Sequence, residues 1–197
     1  MTRLRLILSA SAVAALTGLA AGTGWMWWTT NGPQALIPDD FGQGDYQMVT
    51  TTGQPFTQSS LIGQPSLVFF GFTHCPDVCP TTLGDIALWQ EALGPRAQDL
   101  RIFMVSVDPT RDTPEVLGEY VGWLPGAVGV TGSEDQSRQT QQAFRIFSRK
   151  VPLEGGDYTM DHSSSVLVFD AEGRFVTNIP YQSPPETALA RIAQALR

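Results

Sequence analysis

Apolar residues gather into two short, uninterrupted runs near the middle of the chain, at residues 66–72 (SLVFFGF) and 101–107 (RIFMVSV). Runs of this length that contain β-branched and aromatic residues and little alternation are typical of strands buried on both faces of a sheet. Residues 80–93 carry apolar side chains at helical spacing, and Gly94-Pro95 ends that pattern. The order strand, helix, strand predicts a parallel crossover unit.

Further patterns frame this unit on both sides. Residues 46–56 predict a short hairpin before it. Thr113-Pro114 predicts the start of a second helix, and a capping-box pattern at Ser133 predicts a third helix over residues 133–147. Residues 148–161 show no pattern for helix or strand and are predicted as a 14-residue loop, a length at which loops are usually functional or mobile.

The C-terminal part predicts two paired strands and a last helix. Residues 164–169 and 174–179 are strand-like around a short turn, and Ser183-Pro-Pro-Glu186 precedes a helical pattern. The predicted order is hairpin, strand, helix, strand, helix, helix, strand, strand, helix. Long crossovers require parallel pairing, whereas the short last turn requires antiparallel pairing. We therefore expect an α/β domain over residues 41–197, with a mixed central sheet and helices on both faces, the thioredoxin-like fold.

The N-terminus carries a long apolar segment outside this pattern. Residues 6–28 are 23 uncharged residues, preceded by two arginines and ending in Trp-Met-Trp-Trp. About 20 apolar residues span a bilayer, and tryptophans gather at its interfaces. We expect a single transmembrane anchor at 6–28, with residues 1–5 in the cytoplasm and a linker at 29–40. A signal peptide is the alternative. Both interpretations place the domain on the periplasmic side of the inner membrane.

Charge narrows the range of partners. Beyond residue 38 the chain has 10 basic and 19 acidic side chains, a net charge of −9, so nucleic acid is not an expected partner. Apolar residues make up 42% of the chain and charged residues 16%, which fits a globular domain with a sizeable core. An exported domain also lies where disulfides can form.

The two cysteines lie four residues apart in GFTHCPDVCPTT, with a proline after each. Pro80 suits the first turn of a helix, so Cys79 is expected near the N-cap. Both thiols then lie between a strand end and a helix start, where the helix dipole favours thiolates. Cys75 and Cys79 can form a disulfide, bind a metal, or do both at different times. A purely structural disulfide is less expected, because it would close a small loop in a domain that hardly needs it.

A metal site needs a third ligand, and His162 is the candidate. His74 is adjacent to Cys75 and is expected to point away from it, either toward solvent or to a position beside the ligands where it does not bind the metal. Two thiolates and an imidazole form a soft site that suits trigonal Cu(I), or Zn(II) with one open position. Cu(II) prefers a fourth, harder ligand. Asp108, at the end of the second buried strand, is the first candidate, and Asp77 is the second.

Taken together, these motifs resemble a known family. GFTHCPDVCPTTL, SVDPTRDTP and DHSSSVLVFDAEGRF, in this order, are similar to segments of the Sco/SenC family, whose members are membrane-tethered, copper-binding assembly factors for cytochrome c oxidase. The resemblance runs from about residue 40 to the C-terminus. It implies a thioredoxin-like fold, copper ligands at Cys75, Cys79 and His162, and an acidic residue near the site at Asp108.

The resemblance also implies a role. One copper ion per chain, Cu(I) or Cu(II), would be delivered to subunit II of cytochrome c oxidase or a related haem–copper oxidase subunit, with other copper chaperones as further partners. Ligands on loops would let an acceptor replace them one at a time. The alternative is a thiol–disulfide reductase that keeps the oxidase cysteines reduced, with Cys75 and Cys79 as the redox pair. A peroxidase on the same fold is a third interpretation, but nothing in the sequence indicates a peroxide pocket.

Overall fold

A computed structural model describes residues 40–197 of the protein. The predicted cytoplasmic segment at 1–5, the anchor at 6–28 and the linker up to residue 39 lie outside the described residues. Within the described part of the chain, no helix combines the length and the apolar character that crossing a bilayer requires.

Strands and helices alternate along most of this domain. The strands are β1 Met48–Thr50, β2 Pro55–Phe56, β3 Ser66–Gly71, β4 Arg101–Ser106, β5 Ala127–Thr131, β6 Ser148–Pro152, β7 Tyr158–His162, β8 Val166–Phe169 and β9 Phe175–Ile179. The helices are α1 Val78–Leu93, α2 Pro114–Val121, α3 Glu134–Ala143 and α4 Pro185–Ala195. Short 3₁₀ turns lie at Gln58–Leu61, Gly94–Asp99 and Glu154–Gly156.

A seven-stranded mixed sheet forms the centre of the domain, in the order β2-β1-β5-β4-β3-β8-β9. The neighbours β3, β4 and β5 are parallel and are joined by crossovers through α1 and α2. β1 pairs with β5, and β8 pairs with β3, in antiparallel orientation. Hairpins add β2 and β9 at the two edges. The predicted mixed sheet, its parallel crossover unit and both hairpins are confirmed.

Helices cover both faces of this sheet, as predicted. All six residues of β3 are buried, because neighbouring strand residues point to opposite faces. On one face Phe70 packs against Phe144 at the end of α3, with ring centroids 5.2 Å apart. On the other face Gly71 lies against the Cys79 sulfur of α1. This double burial explains why the strand reads as a continuous apolar run.

The sequence prediction misses β5, which lies between β1 and β4. Its sequence AVGVT is short and contains Gly129, which weakens a strand pattern. Close packing requires this glycine, since a Cβ there would lie 2.6 Å from Cγ of Leu117 and 2.7 Å from Cγ2 of Thr51. The predicted succession of two helices after β4 is therefore wrong, and the chain runs helix, strand, helix.

The predicted loop at 148–161 is also wrong. These residues form β6 and most of β7, an antiparallel hairpin separate from the main sheet, in which Ser148 pairs with His162. Gly155 and Gly156, at positive φ of 86° and 87°, shape its turn. Three of the five residues of β6, SRKVP, are exposed and two are charged, so no apolar alternation marks it as a strand.

The start of α1 differs from the prediction by two residues. The helix begins at Val78, with Asp77 at the N-cap, so Cys79 lies inside the first turn. Pro80 occupies the third helical position. It breaks no intrahelical hydrogen bond there, because the first four N–H groups of a helix have no partner inside the helix.

The other helix starts follow local capping chemistry to different degrees. Thr113 and Ser133 cap α2 and α3 as predicted, each accepting a hydrogen bond from the backbone N–H three residues ahead. Ser183 does not cap α4. Its hydroxyl donates to the Pro180 carbonyl at 2.7 Å, and Pro184 is the N-cap residue.

Phe144 tests the packing between α3 and the sheet. It is fully buried (0% exposed) against the rings of Tyr46, Phe70 and Phe169. We expect Phe144→Ala to lower the free energy of unfolding by about 3–5 kcal/mol, because it leaves a cavity between layers. Urea denaturation followed by tryptophan fluorescence measures the change. The exposed Phe147 is the control, and its replacement by Ala should change stability by less than about 0.5 kcal/mol. Equal losses would contradict this packing.

Candidate metal centre

The cysteine loop begins where β3 ends. After Gly71, the Phe72 carbonyl accepts a hydrogen bond from the Cys75 N–H at 3.3 Å, which turns the chain toward α1. Cys79 follows in the first turn of that helix, and its side chain is fully buried. The strand end and the helix start therefore bring both thiols to the carboxyl edge of the parallel strands, as the sequence predicts.

The close approach of α1 to β3 requires a glycine. A Cβ at Gly71 would lie 3.0 Å from the Cys79 sulfur and 2.8 Å from the Phe69 ring. Both distances are shorter than ordinary van der Waals contacts, so any side chain at this position would displace the helix or the ring. Gly71 thus allows the first turn of α1 to rest directly on the strand.

The Cys75 sulfur lies at the N-terminus of α1. It accepts a hydrogen bond from the Cys79 N–H at 3.3 Å. The first N–H groups of a helix lack partners inside the helix, so the sulfur acts as a cap for this end. Donors of this kind stabilise a thiolate more than a thiol.

The two thiols therefore differ in acidity. The pKa of Cys75 falls to about 4, mainly because the Cys79 thiol donates a hydrogen bond to it, with a further contribution from His162. The pKa of Cys79 is raised, because its proton is shared with the Cys75 sulfur and because burial disfavours its charged form. The two pKa shifts run in opposite directions, so the pair favours a thiolate on Cys75 over one on Cys79.

His162 is the last residue of β7 and presents its Nε2 to the cysteines. Its Nδ1 lies 2.8 Å from the Ser163 carbonyl oxygen, which can only accept, so Nδ1 carries a proton. Nε2 lies 3.7 Å from the Cys79 sulfur. The imidazole stands edge-on to the Phe72 ring, with centroids 5.7 Å apart. A carbonyl that fixes the tautomer in this way is a common outer partner of a metal-ligating histidine.

The ligand atoms of Cys75, Cys79 and His162 all lie within 4.8 Å of one another. Atoms at this spacing can bind one ion, because metal bonds to sulfur and nitrogen measure about 2.0–2.3 Å. Among residues 40–197, this is the one group of three or more His, Cys, Asp and Glu side chains so closely spaced. The structure thus brings together the three residues that the sequence indicates.

The group opens onto a cleft of about 260 Å³ between the cysteine loop and β7. Cys75 and His162 are half-buried, whereas Cys79 is buried. The cleft therefore gives an approaching molecule access to Cys75 and His162, which line it.

Asp108, the candidate fourth ligand, does not join this group. It is buried (1% exposed) just after β4. Its Oδ1 accepts a hydrogen bond from the Tyr158 hydroxyl at 2.8 Å, and its Oδ2 accepts from Nε of Arg111. Both carboxylate oxygens are therefore occupied by other side chains.

The remaining two candidates also lie apart from the three ligands. His74 is exposed, as expected, and its Nδ1 lies 3.1 Å from the Thr73 hydroxyl. Asp77 is exposed at the N-cap of α1, and its carboxylate accepts a hydrogen bond from the Thr81 hydroxyl at 3.5 Å. Asp77 lines the same cleft but is not part of the three-residue group.

Several residues that shape the site are not found by sequence reasoning. Gly71 is one glycine inside an apolar run, and Tyr158 gains its role only when the hairpin folds back onto the end of β4. Arg111 and Asp112 lie in SVDPTRDTP, where two aspartates and an arginine follow a buried strand. That concentration of charge beside a buried strand is the one signal that could have indicated them.

A thioredoxin-like domain with two sulfurs and an imidazole at the carboxyl edge of its sheet defines a class of thiol-based metal-binding or redox proteins. Within that class the sequence is specific: the SCO1/SenC family profile matches residues 35–197, more than half of the chain. The chain belongs to the SCO1/SenC family.

Relatives and solved structures agree with this assignment. A SCO2-like protein of Rickettsia felis is 36% identical over 146 residues, which are 73% of this chain and 71% of the relative. Copper-bound ScoI of Bradyrhizobium japonicum is 38% identical, with a TM-score of 0.70 over 77% of this chain and 98% of that one. Copper-bound yeast Sco1 is 31% identical, with a TM-score of 0.69 over 77% and 86%. The predicted fold and family are confirmed.

The acidity of the thiols can be measured by alkylation. In the reduced, metal-free protein, iodoacetamide should modify Cys75 at a rate that stays constant above about pH 5, because its thiolate is already formed. Cys79 should react slowly, since it is buried and protonated. Peptide mass spectrometry assigns the two rates. In Cys79→Ala the donor is lost, and the pH midpoint for Cys75 should rise. A wild-type midpoint near 8.5, the ordinary thiol value, would contradict the shared proton.

Gly71 tests the contact between helix and strand. Gly71→Ala should lower the free energy of unfolding by about 1–3 kcal/mol, because the new methyl group meets Cys79 and Phe69. Gly84, within α1, is a matched control because a Cβ there meets no atom within 4 Å. Gly84→Ala should raise stability by up to about 1 kcal/mol through helix propensity. Urea denaturation measures the free energy of unfolding of both variants. If Gly71→Ala left that free energy unchanged, the close contact between α1 and β3 would be refuted.

Proposed function

We propose that the protein binds copper through Cys75, Cys79 and His162 and assists the assembly of the copper centre of cytochrome c oxidase. The observation that carries this proposal is the convergence of two sulfurs and one imidazole within 4.8 Å. This donor set is soft and suits Cu(I) in a three-coordinate site. Membership in the SCO1/SenC family and the likeness to copper-bound ScoI and Sco1 favour copper over zinc.

Unequal exposure of the ligands supports a role in transfer. Cys75 and His162 face the cleft, whereas Cys79 is buried beneath them. An acceptor at the cleft can replace the two outer ligands one at a time while the Cys79 sulfur still holds the ion. The sequence predicts that all three ligands lie on loops, but in the structure Cys79 is in α1 and His162 is in β7. Exchange therefore depends on access to the outer ligands more than on loop motion.

A thiol–disulfide reductase is the second candidate, and the low pKa of Cys75 favours it. The Cys75 thiolate would attack a target disulfide, forming a mixed disulfide and releasing one target thiolate. Cys79, on losing its proton, would attack the Cys75 sulfur and release the second target thiolate. The target is reduced and the protein is oxidised to the Cys75–Cys79 disulfide, which cannot bind copper through two thiolates. A low pKa also serves copper binding, so acidity alone does not separate the two functions.

We further infer the cellular setting from the sequence. The uncharged segment at 6–28 would anchor the chain in the inner membrane, and the domain at 41–197 would lie on the periplasmic side. Subunit II of cytochrome c oxidase, or a related haem–copper oxidase subunit, would be the acceptor, and other copper chaperones would supply the ion. The support for these partners is the family to which the chain belongs.

Copper titration of the purified, reduced full-length chain in detergent tests the proposal. We expect one ion per chain, with Cu(I) affinity measured by competition against a chromophoric chelator. Cu(II) should produce an intense thiolate-to-copper charge-transfer band. Cys75→Ser and Cys79→Ser should each lower the affinity for both ions by more than about 100-fold. Replacing a residue that only supports a ligand already costs up to about that much, and loss of a ligand should cost more. His162→Ala should retain part of the Cu(I) affinity, because two thiolates remain.

Matched variants separate the two functions. His74→Ala should bind copper like the wild type, because His74 lies outside the three-residue group. A double variant of Cys75 and Cys79 that binds copper as tightly as the wild type would refute the copper site. Negligible copper affinity in the wild type, together with rapid reduction of a disulfide in oxidase subunit II, would support the reductase instead.

A further inference from the structure

We propose that residues 106–112, here called the bracket, set the distance between the His162 imidazole and the two thiols. In this role Asp108 and Asp112 are positioning residues, and Asp108 is not a copper ligand. The inference rests on the proposed copper site. It assigns a separate function to the acidic segment that the sequence singles out after the second buried strand.

One side of the bracket holds the cysteine loop. Asp112 is fully buried (0% exposed), and its carboxylate accepts hydrogen bonds from the Thr73 N–H at 3.2 Å and the Thr73 hydroxyl at 2.7 Å. The Ser106 hydroxyl donates to the same carboxylate at 2.6 Å. Thr73 lies two residues before Cys75. Asp112 therefore fixes the start of the loop on which the thiolate lies.

The other side of the bracket holds the β6–β7 hairpin. The Tyr158 hydroxyl donates to Asp108 Oδ1 at 2.8 Å, and the Arg111 guanidinium donates to Asp108 Oδ2 and to the Tyr158 carbonyl, the latter at 3.0 Å. The same guanidinium lies over the Tyr158 ring, 3.8 Å from its centroid, and contacts Asp157. Tyr158 and His162 lie on one face of β7, since they are four residues apart on the same strand.

The two sides are joined through a short, fixed turn. The Asp108 carbonyl accepts hydrogen bonds from the N–H groups of Arg111 at 3.1 Å and Asp112 at 3.0 Å. The Asp108 N–H donates to the Ser106 hydroxyl, and the Thr131 hydroxyl of β5 donates to the Asp112 carbonyl at 2.7 Å. The turn is thus attached to the sheet. Movement of either carboxylate would move the hairpin relative to the cysteine loop.

The hairpin forms a two-stranded sheet of its own, so side-chain contacts rather than strand pairing hold it against the domain. The hydrogen bonds between Phe147 and Ser163 only extend the pairing of β6 with β7. Among the described residues, the hairpin also contacts the domain through the Ser148 hydroxyl on Gln141, the Lys150–Glu134 ion pair and the buried side chain of Met160. The His162 ring lies against Phe72. The bracket engages Tyr158, at the opposite end of β7 from His162. Together these contacts hold both ends of the strand that carries the imidazole.

A double-mutant cycle with copper as the probe tests the bracket. Tyr158→Phe removes the hydroxyl that reaches Asp108 and retains the ring over Arg111. We expect it to weaken Cu(II) binding by about 10-fold or more and to shift the charge-transfer band, as effects on outer partners of ligands do. In a His162→Ala background the same change should alter affinity by less than twofold, because it acts through the imidazole. Asp108→Asn should follow the same pattern.

The control is Tyr46→Phe, which removes a buried hydroxyl that donates to the Gly42 carbonyl instead. It should leave copper binding unchanged. If Asp108→Asn weakens copper binding equally with and without His162 while Tyr158→Phe has no effect, Asp108 is a ligand and the bracket is refuted. If Tyr158→Phe and Tyr46→Phe weaken binding equally, the effect is general destabilisation, and the bracket is again refuted.

Metal-free protein provides an independent measurement. Amide hydrogen exchange of β7 should be faster in Tyr158→Phe than in the wild type, whereas exchange in β3 and β4 should be unchanged. Unchanged exchange in β7 would overturn the bracket whatever the copper result. A wild-type chain that binds no copper but shows faster exchange in the variant would refute the copper site and retain the bracket as an attachment of the hairpin.

Discussion

The first turn of α1 rests directly on the end of β3, at a point where the strand has no side chain. Gly71 makes room for the Cys79 sulfur, and the Cys79 N–H reaches the Cys75 sulfur. The contact between α1 and β3 therefore brings together the buried Cys79 sulfur, the Cys79 N–H that donates to Cys75, and the N-terminus of the helix. If α1 moved outward by the thickness of a methyl group, all three would shift at once. The chemistry of the site depends on this contact.

The same contact makes the two thiols unequal. They share a proton, with Cys75 favoured as thiolate by the donors at the helix end and Cys79 kept protonated by burial. A thiolate that is already formed is ready to bind a soft metal or to attack a disulfide, so both functions draw on one electrostatic arrangement. Copper binding through both sulfurs would require the loss of the Cys79 proton, which would couple metal affinity to pH.

His162, the proposed third ligand, is held by a different kind of interaction. Asp108 is buried and forms an ion pair with Arg111, whose side chain is 16% exposed. Such pairs contribute little net stability, yet removing one partner costs about 3–5 kcal/mol because a buried charge is left alone. The pair is therefore better understood as a constraint on geometry. It connects the β6–β7 hairpin, which forms a sheet of its own, to the edge on which the thiols lie.

Much of the fold could be predicted because its signals are local or follow from burial. The apolar runs at β3 and β4 reflect strands that are covered on both faces. Thr113 and Ser133 cap their helices by accepting hydrogen bonds from the backbone N–H three residues ahead. Predictions fail where neighbours in space decide the structure. β5 contains a glycine that only the packing of Leu117 and Thr51 explains, and the β6–β7 hairpin has charged, exposed residues that resemble a loop.

The sequence by itself determined where the two sulfurs of the candidate site lie, because two prolines and a strand end place both cysteines at a helix start. It also indicated His162, but only as the histidine best placed to complete the set. Only the tertiary structure decided that its ring lies beside Cys79, 83 residues away, and that Asp108 faces Tyr158, 50 residues away, rather than the thiols. Contacts over such separations depend on how the hairpin packs against the sheet edge, and local sequence patterns carry no information about that packing.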